Sequence, residues 1–163
     1  MNGSTNDGKS EARELYALLV PLAEEHLIVP RACVAEVIGF SRPVPRPDAA
    51  PWLLGTVNWN GRNLPVVSFE GACGRTQPDA GSRTRIVVFF AIGGRLEGGY
   101  YGVLTQGFPQ LVRVSADALD TADAREWPED SPVLAQPKLN NGYPIIPDLE
   151  RVEEMLQNEL VPT

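Results

Sequence analysis

Trp52 to Phe69 reads WLLGTVNWNGRNLPVVSF, and its interpretation decides the fold. It joins an apolar opening, a turn punctuated by Gly55 and Gly61, and a strand from Arg62 to Phe69 marked by Pro65. The stretch holds no residue pair suited to acid–base or nucleophilic chemistry. It reads as part of a binding scaffold rather than a reaction centre.

Outward from this stretch the chain is a series of short apolar runs separated by breakers. With 43% hydrophobic and 21% charged residues, the 163-residue chain has the composition of one globular domain or two small lobes on a shared core. Fifteen glycines and fifteen prolines imply many turns, which favours a mainly β architecture of barrel or sandwich type. Leu15 to Val29 reads as a hairpin turning at Glu24 and Glu25, its first strand apolar on both faces. Pro30 opens a segment in which Val34, Val37 and Ile38 recur at helical spacing until Gly39, so a short amphipathic helix is expected there. Four prolines between Ser41 and Pro51 make a stiff surface loop. Arg85 to Ala91 is the most strongly β run. The glycines between Gly93 and Gly99 connect it to Tyr100–Phe108 as a second hairpin.

Further strands are expected at Leu111–Val114, Val133–Lys138 and Tyr143–Ile146. Residues 115–131 read as an acidic loop with one helical turn. Asp148 caps a closing helix that places Leu149, Val152, Leu156 and Leu160 on one face, with Glu153 and Glu154 pointing elsewhere. Residues 1–13 are polar and charged and read as a flexible tail, 14–160 as the domain, and 161–163 as the C-terminal end.

Charge and reactive groups exclude several functions. The net charge of −7 divides as −2 over residues 1–60 (five Lys/Arg, seven Asp/Glu), +3 over 61–114 (six, three) and −8 over 115–163 (three, eleven). So small a cationic excess does not suit nucleic acid. One histidine, His26, excludes multi-histidine metal sites and most catalytic triads. Cys33 and Cys73 lack metal-ligand spacing and read as buried, reduced thiols. Gly93–Gly99 lacks the Lys and Ser/Thr of a phosphate-binding loop, and Asp117, Asp120 and Asp123 lack the pattern of a calcium loop. No cofactor is expected, and no apolar run is long enough to span a membrane. These features together suggest a cytoplasmic protein.

The order Gly55, Val57, Asn58, Gly61, Leu64, Pro65, Val66 resembles the core of CheW-like chemotaxis coupling proteins. Ile28-Val29-Pro30 with Val34 and Glu36-Val37-Ile38 resembles the family's opening. Arg85–Phe90, Gly102-Val103-Leu104 and Tyr143–Leu149 resemble its later strands and helix start. The resemblance implies two SH3-like, five-stranded barrel lobes with a C-terminal α-helix, and neither enzymatic activity nor cofactor. It also implies partners: the regulatory domain of a CheA-type histidine kinase, the cytoplasmic tip of a methyl-accepting chemoreceptor, and other CheW-like adaptors.

Carried onto this sequence, Val34, Glu36, Gly55 and Asn58 line a kinase-facing groove, and Ile38, Asn60, Arg62 and Leu104 face the receptor. Asn60 stands where the family usually has arginine, and Arg62 is the expected substitute, able to pair with Glu36. Gln106 stands where aspartate is common. These departures suggest a diverged member in a dedicated pathway such as surface motility. Two alternatives accompany this reading: a scaffold binding only the kinase or other adaptors, and a small β-barrel hydrolase or ligand-binding domain using scattered carboxylates.

Overall fold

The computed structural model describes residues 14–160, so the N-terminal tail expected at 1–13 lies outside it. In chain order the elements are β1 (Leu15–Pro21), β2 (His26–Pro30), β3 (Val34–Gly39), β4 (Leu53–Trp59), β5 (Arg62–Val67), a one-turn helix α1 (Phe69–Ala72), β6 (Arg85–Phe90), β7 (Tyr100–Thr105), β8 (Gln110–Val114), β9 (Asp120–Arg125), β10 (Val133–Lys138), β11 (Ile146–Pro147) and α2 (Leu149–Leu160).

The turn of the deciding stretch is now explicit. Asn60 and Gly61 both hold positive φ, +51° and +75°, as the central residues of a two-residue type I′ hairpin must. Trp59 is thereby set opposite Arg62, and β4 pairs with β5. The resulting five-stranded sheet runs β3-β6-β7-β5-β4, with only β5 and β7 parallel. The chain enters this lobe after β2 and leaves it after β7. The other lobe comprises two three-stranded sheets, β2-β1-β8 and β11-β10-β9. A parallel bridge between Leu27 and Ile145 joins them. The mainly β class, the lobes and the closing helix match the sequence reading, although this second lobe is two small sheets rather than one of five strands.

β6 lies between two cores. Ile86 and Val88 pack into the interior of the five-stranded lobe with Val57, Leu64, Val66 and Leu104. Val87 and Phe89 face the opposite way, into a cluster that unites Val20, Leu27 and Val29 of the other lobe with Val152 and Leu156 of α2. Full burial of each such side chain contributes about 1.5–3 kcal/mol by transfer alone.

Four local expectations are corrected. Residues 34–39 are a strand, preceded by a 3-10 turn at Arg31–Cys33. A β-bulge between Val34 and Glu36 breaks the period-two alternation, so Val34 and Val37 both reach the interlobe core and imitate helical spacing. The acidic segment carries a strand, β9, beyond its 3-10 turn; all six of its residues are exposed, so no apolar alternation marked it. The first strand is open where it begins, with Leu15 and Tyr16 exposed. Tyr143–Ile146 is a strand only at its end, β11 being Ile146–Pro147.

Helix α2 begins at Asp148, whose Oδ1 accepts the Arg151 N–H at 3.0 Å, but its Glu153 does not point away. It is fully buried, and both carboxylate oxygens accept the Gly93 N–H, at 2.9 and 3.0 Å. Position 153 lies three residues before Leu156, at the edge of the apolar stripe. Gly93 makes the approach possible, since a Cβ there would sit 2.8 Å from Glu153 Oε1.

A polar network also fastens the lobes. Glu25, in the β1–β2 turn, pairs with Arg75 at 2.6 Å and accepts from Gln136 Nε2 at 2.9 Å. Gln136, buried in β10, in turn accepts from Trp127 Nε1 at 2.7 Å. Glu70 of α1 accepts the Ala23 N–H at 3.0 Å.

Gly55 is held at φ +137°, and a Cβ there would lie 2.2 Å from the Val44 carbonyl oxygen, because the proline-rich loop bridges to β4 at Val44–Thr56. Gly55→Ala is expected to lower the unfolding free energy by about 2 kcal/mol or more. Urea denaturation checks this; an unchanged midpoint would contradict the packing described.

Candidate functional site

The Asn60–Gly61 turn and the β6–β7 pairing bring five side chains to one rim of the five-stranded lobe. Trp59 meets Tyr100 edge-on, with ring centroids 4.9 Å apart at 67°. Phe90, directly opposite Tyr100 in the β6–β7 register, lies 5.5 Å from it. Trp59 Nε1 donates to Glu36 Oε1 at 3.0 Å, and the Arg62 guanidinium lies 5.1 Å from the Tyr100 centroid. Arg62 Nη1 also donates to the Gly98 carbonyl at 3.1 Å. The aromatic row thus has a carboxylate on Trp59 and a guanidinium on Tyr100. Each aromatic contact adds about 0.5–1.5 kcal/mol beyond area burial, so the row is stiff before any partner arrives.

Glu36 remains exposed, and among the described residues no cation lies within 4 Å of it. Arg62 does not pair with Glu36, contrary to expectation, since its fork is occupied by Gly98 and Tyr100. The two charges nonetheless share one patch through Trp59 and Tyr100.

The other expected site residues are dispersed. Asn58, exposed and opposite Asn63, projects from the face of β4 away from Trp59. Asn60 occupies the turn. Val34 is half-buried against the interlobe core and Ile38 against the interior of its own lobe. Gly55 is buried beneath the proline-rich loop. Leu104, only 6% exposed, has almost no side-chain surface to offer. Sequence reasoning missed Trp59, Phe90 and Tyr100 as members of the patch. Trp59 lay next to residues already singled out, but its contact with Tyr100 spans 41 residues and depends on strand order.

The turn also explains Asn60. Asparagine and glycine enter the left-handed region far more readily than arginine, so this backbone favours the residue found.

Among the described residues no reactive centre competes with this patch. The hollow of about 410 Å³ at the lobe junction includes Glu25, Glu70, Cys73, Arg75 and Trp127 in its lining, but Glu25 and Glu70 are engaged in the ties already described. Burial pushes the Cys73 thiol up to about 12, with Arg75 lowering it slightly and Glu70 and Glu25 raising it. Burial raises Cys33 as well, so both remain thiols rather than nucleophilic thiolates. Among the described residues no three His, Cys, Asp or Glu side chains gather as a metal site.

Comparison with known proteins agrees with the architecture. The family model described as the CheW-like domain matches residues 16–155. The crystal structure of the scaffolding protein TtCheW from Thermoanaerobacter tengcongensis superposes with a TM-score of 0.67 at 16% identity, covering 82% of this chain and 88% of that one. No curated protein sequence matches the chain.

Two outcomes are expected. Asn60→Arg should lower stability by about 1 kcal/mol, since it forces a long side chain into the left-handed region; a thermal or urea midpoint at or above that of the parent would refute the turn argument. At pH 8, alkylation of Cys73 in the folded protein should run at least about tenfold slower than that of an ordinary free cysteine. Mass spectrometry after timed iodoacetamide treatment measures this, and a comparable rate would show an accessible thiolate.

Proposed function

The chain belongs to the family of CheW-like domains, and from that premise we propose that it couples chemoreceptors to a CheA-type histidine kinase. Domains of this family are non-enzymatic adaptors and scaffolds of chemotaxis signalling. In the reading proposed, one face holds the regulatory domain of the kinase and another meets the cytoplasmic tip of a methyl-accepting chemoreceptor. It acts in the cytoplasm, recruited to receptor arrays. Among the described residues no helix is long and apolar enough to cross a membrane.

The observation that carries this reading is the exposed Glu36 carboxylate, oriented by Trp59 Nε1 at 3.0 Å yet not neutralised by any described cation. A preorientated charge beside aromatic surface forms a contact with little further ordering, and aromatic and arginine anchors dominate protein interfaces. Of the kinase-facing set Val34, Glu36, Gly55 and Asn58, Glu36 and Asn58 offer side chains. Gly55 shapes the β4 backbone where the proline-rich loop crosses it. Of the receptor-facing set Ile38, Asn60, Arg62 and Leu104, Arg62 offers the charge, while Leu104 supports the strand from within. Coupling then follows from stiffness: a body buried on both faces of β6 transmits a shift at one partner as altered packing at the other.

A second reading, a scaffold that binds the kinase or other adaptors without touching a receptor, is favoured by one observation. Asn60 supplies no cation, and the Arg62 guanidinium is already held by Gly98 and Tyr100.

Capture of a purified kinase regulatory domain and of a receptor-tip fragment, measured separately, distinguishes the readings. Glu36→Lys is expected to weaken kinase capture at least about tenfold with circular dichroism unchanged, because the residue is exposed. Undiminished capture would make Glu36 an ordinary surface group. Arg62→Ala is expected to weaken receptor-tip binding alone. If the parent chain binds kinase but no receptor tip, the scaffold reading replaces the coupling one.

A further inference from the structure

We propose that a second site, lined by none of the residues of the Glu36 patch, binds a phosphate group. It is a pocket of about 450 Å³ where the start of β6, the β7–β8 turn and the end of the β1–β2 hairpin meet. Its polar side chains are Arg83, Arg85, His26, Gln106 and Gln110, and among the described residues no carboxylate lines it. In a chain of net charge −7, this is a local concentration of donors.

Three observations make the pocket more than a pair of surface arginines. First, its walls are tied together. The Gln106 N–H donates to the Pro21 carbonyl at 2.8 Å, and Thr105 Oγ1 donates to the carbonyls of Gly107 at 2.9 Å and Arg85 at 3.3 Å. Second, Arg85 is held in place without being neutralised. Its Nη1 donates to the Thr84 and Ser82 carbonyls at 2.9 and 3.3 Å, which leaves the remaining N–H groups of the fork and the full charge. Among the described residues neither Arg83 nor Arg85 has a carboxylate within 4 Å. Third, Gln106 Nε2 is buried and among the described residues has no hydrogen-bond partner. A buried N–H₂ group without an acceptor is unfavourable, and because Gln106 lines the pocket, a turn of its side chain brings that group to an oxyanion held there.

Two positive charges, that of Arg85 held in place, and an amide donor suit a dianion better than a monoanionic carboxylate. The planar guanidinium fork matches phosphate oxygens two at a time. Leu19, Pro21 and Phe108 add apolar walls, and Phe108 is 69% exposed, so apolar surface lies beside the charge. That combination accommodates a phosphate carried on an organic group as well as the free anion.

Titration of the full chain with sodium phosphate, and separately with phenyl phosphate, followed by amide NMR at fixed ionic strength with chloride as control, tests the site. Saturable shifts are expected at residues 83–85 and 106–108 and at the Gln106 side-chain amide, absent with chloride. Arg83→Gln, at an exposed loop position with no side-chain hydrogen bond or ion pair among the described residues, is expected to weaken binding about tenfold, and Gln106→Leu several-fold. Tighter binding of phenyl phosphate supports the site as one for an organic phosphate; equal affinities support it as one for the free anion. Shifts that do not saturate, that chloride reproduces, or that survive both substitutions overturn the proposal.

Discussion

Everything in this molecule depends on one strand being dry on both sides. Within Arg85–Phe90, Ile86 and Val88 fill the lobe to which they belong, while Val87 and Phe89 fill the junction with the other lobe. Antiparallel β structure usually leaves one face of a strand solvated, and here neither is. The lobes therefore do not share a soft polar interface that permits hinge motion. They share a continuous hydrophobic core, into which α2 adds Val152 and Leu156.

Against that apolar junction, the polar groups inside act as fasteners. Glu153 clasps the Gly93 N–H, Glu70 takes the Ala23 N–H, and Glu25 gathers Arg75 and Gln136. Each carboxylate meets a donor from a distant segment, so each specifies how two segments sit together as well as offsetting its own desolvation. Acid residues in an acidic chain are thus of two kinds. Most are solvated, and a few define the geometry that keeps the two surfaces of the body in fixed relation. An adaptor requires that fixity, because a body that yields internally absorbs a partner's shift instead of relaying it.

The candidate patch depends on the same geometry. Glu36, Trp59, Arg62 and Tyr100 come from β3, β4, β5 and β7, and only the order β3-β6-β7-β5-β4 and the two-residue turn bring them to one rim. Glu36 was singled out through the resemblance of Glu36-Val37-Ile38 to the family's opening. Its partner was not. The expected arginine lies on the right patch but spends its hydrogen bond on Gly98, and the tryptophan between them takes the carboxylate instead.

What the sequence determined by itself was the punctuation: the hairpins, the stiff proline loop and the closing helix, all of which follow from local backbone preference and composition. Its failures were local patterns altered by non-local pairing. The bulge at Val34–Glu36 lent a strand the spacing of a helix, and β9 formed from wholly solvated residues because β10 offered it hydrogen-bonding partners. Glu153 turned inward because Gly93, sixty residues away, left room for it. Tertiary structure decided these because strand register and side-chain clearance are set between segments, and neither is written in the residues of one segment alone.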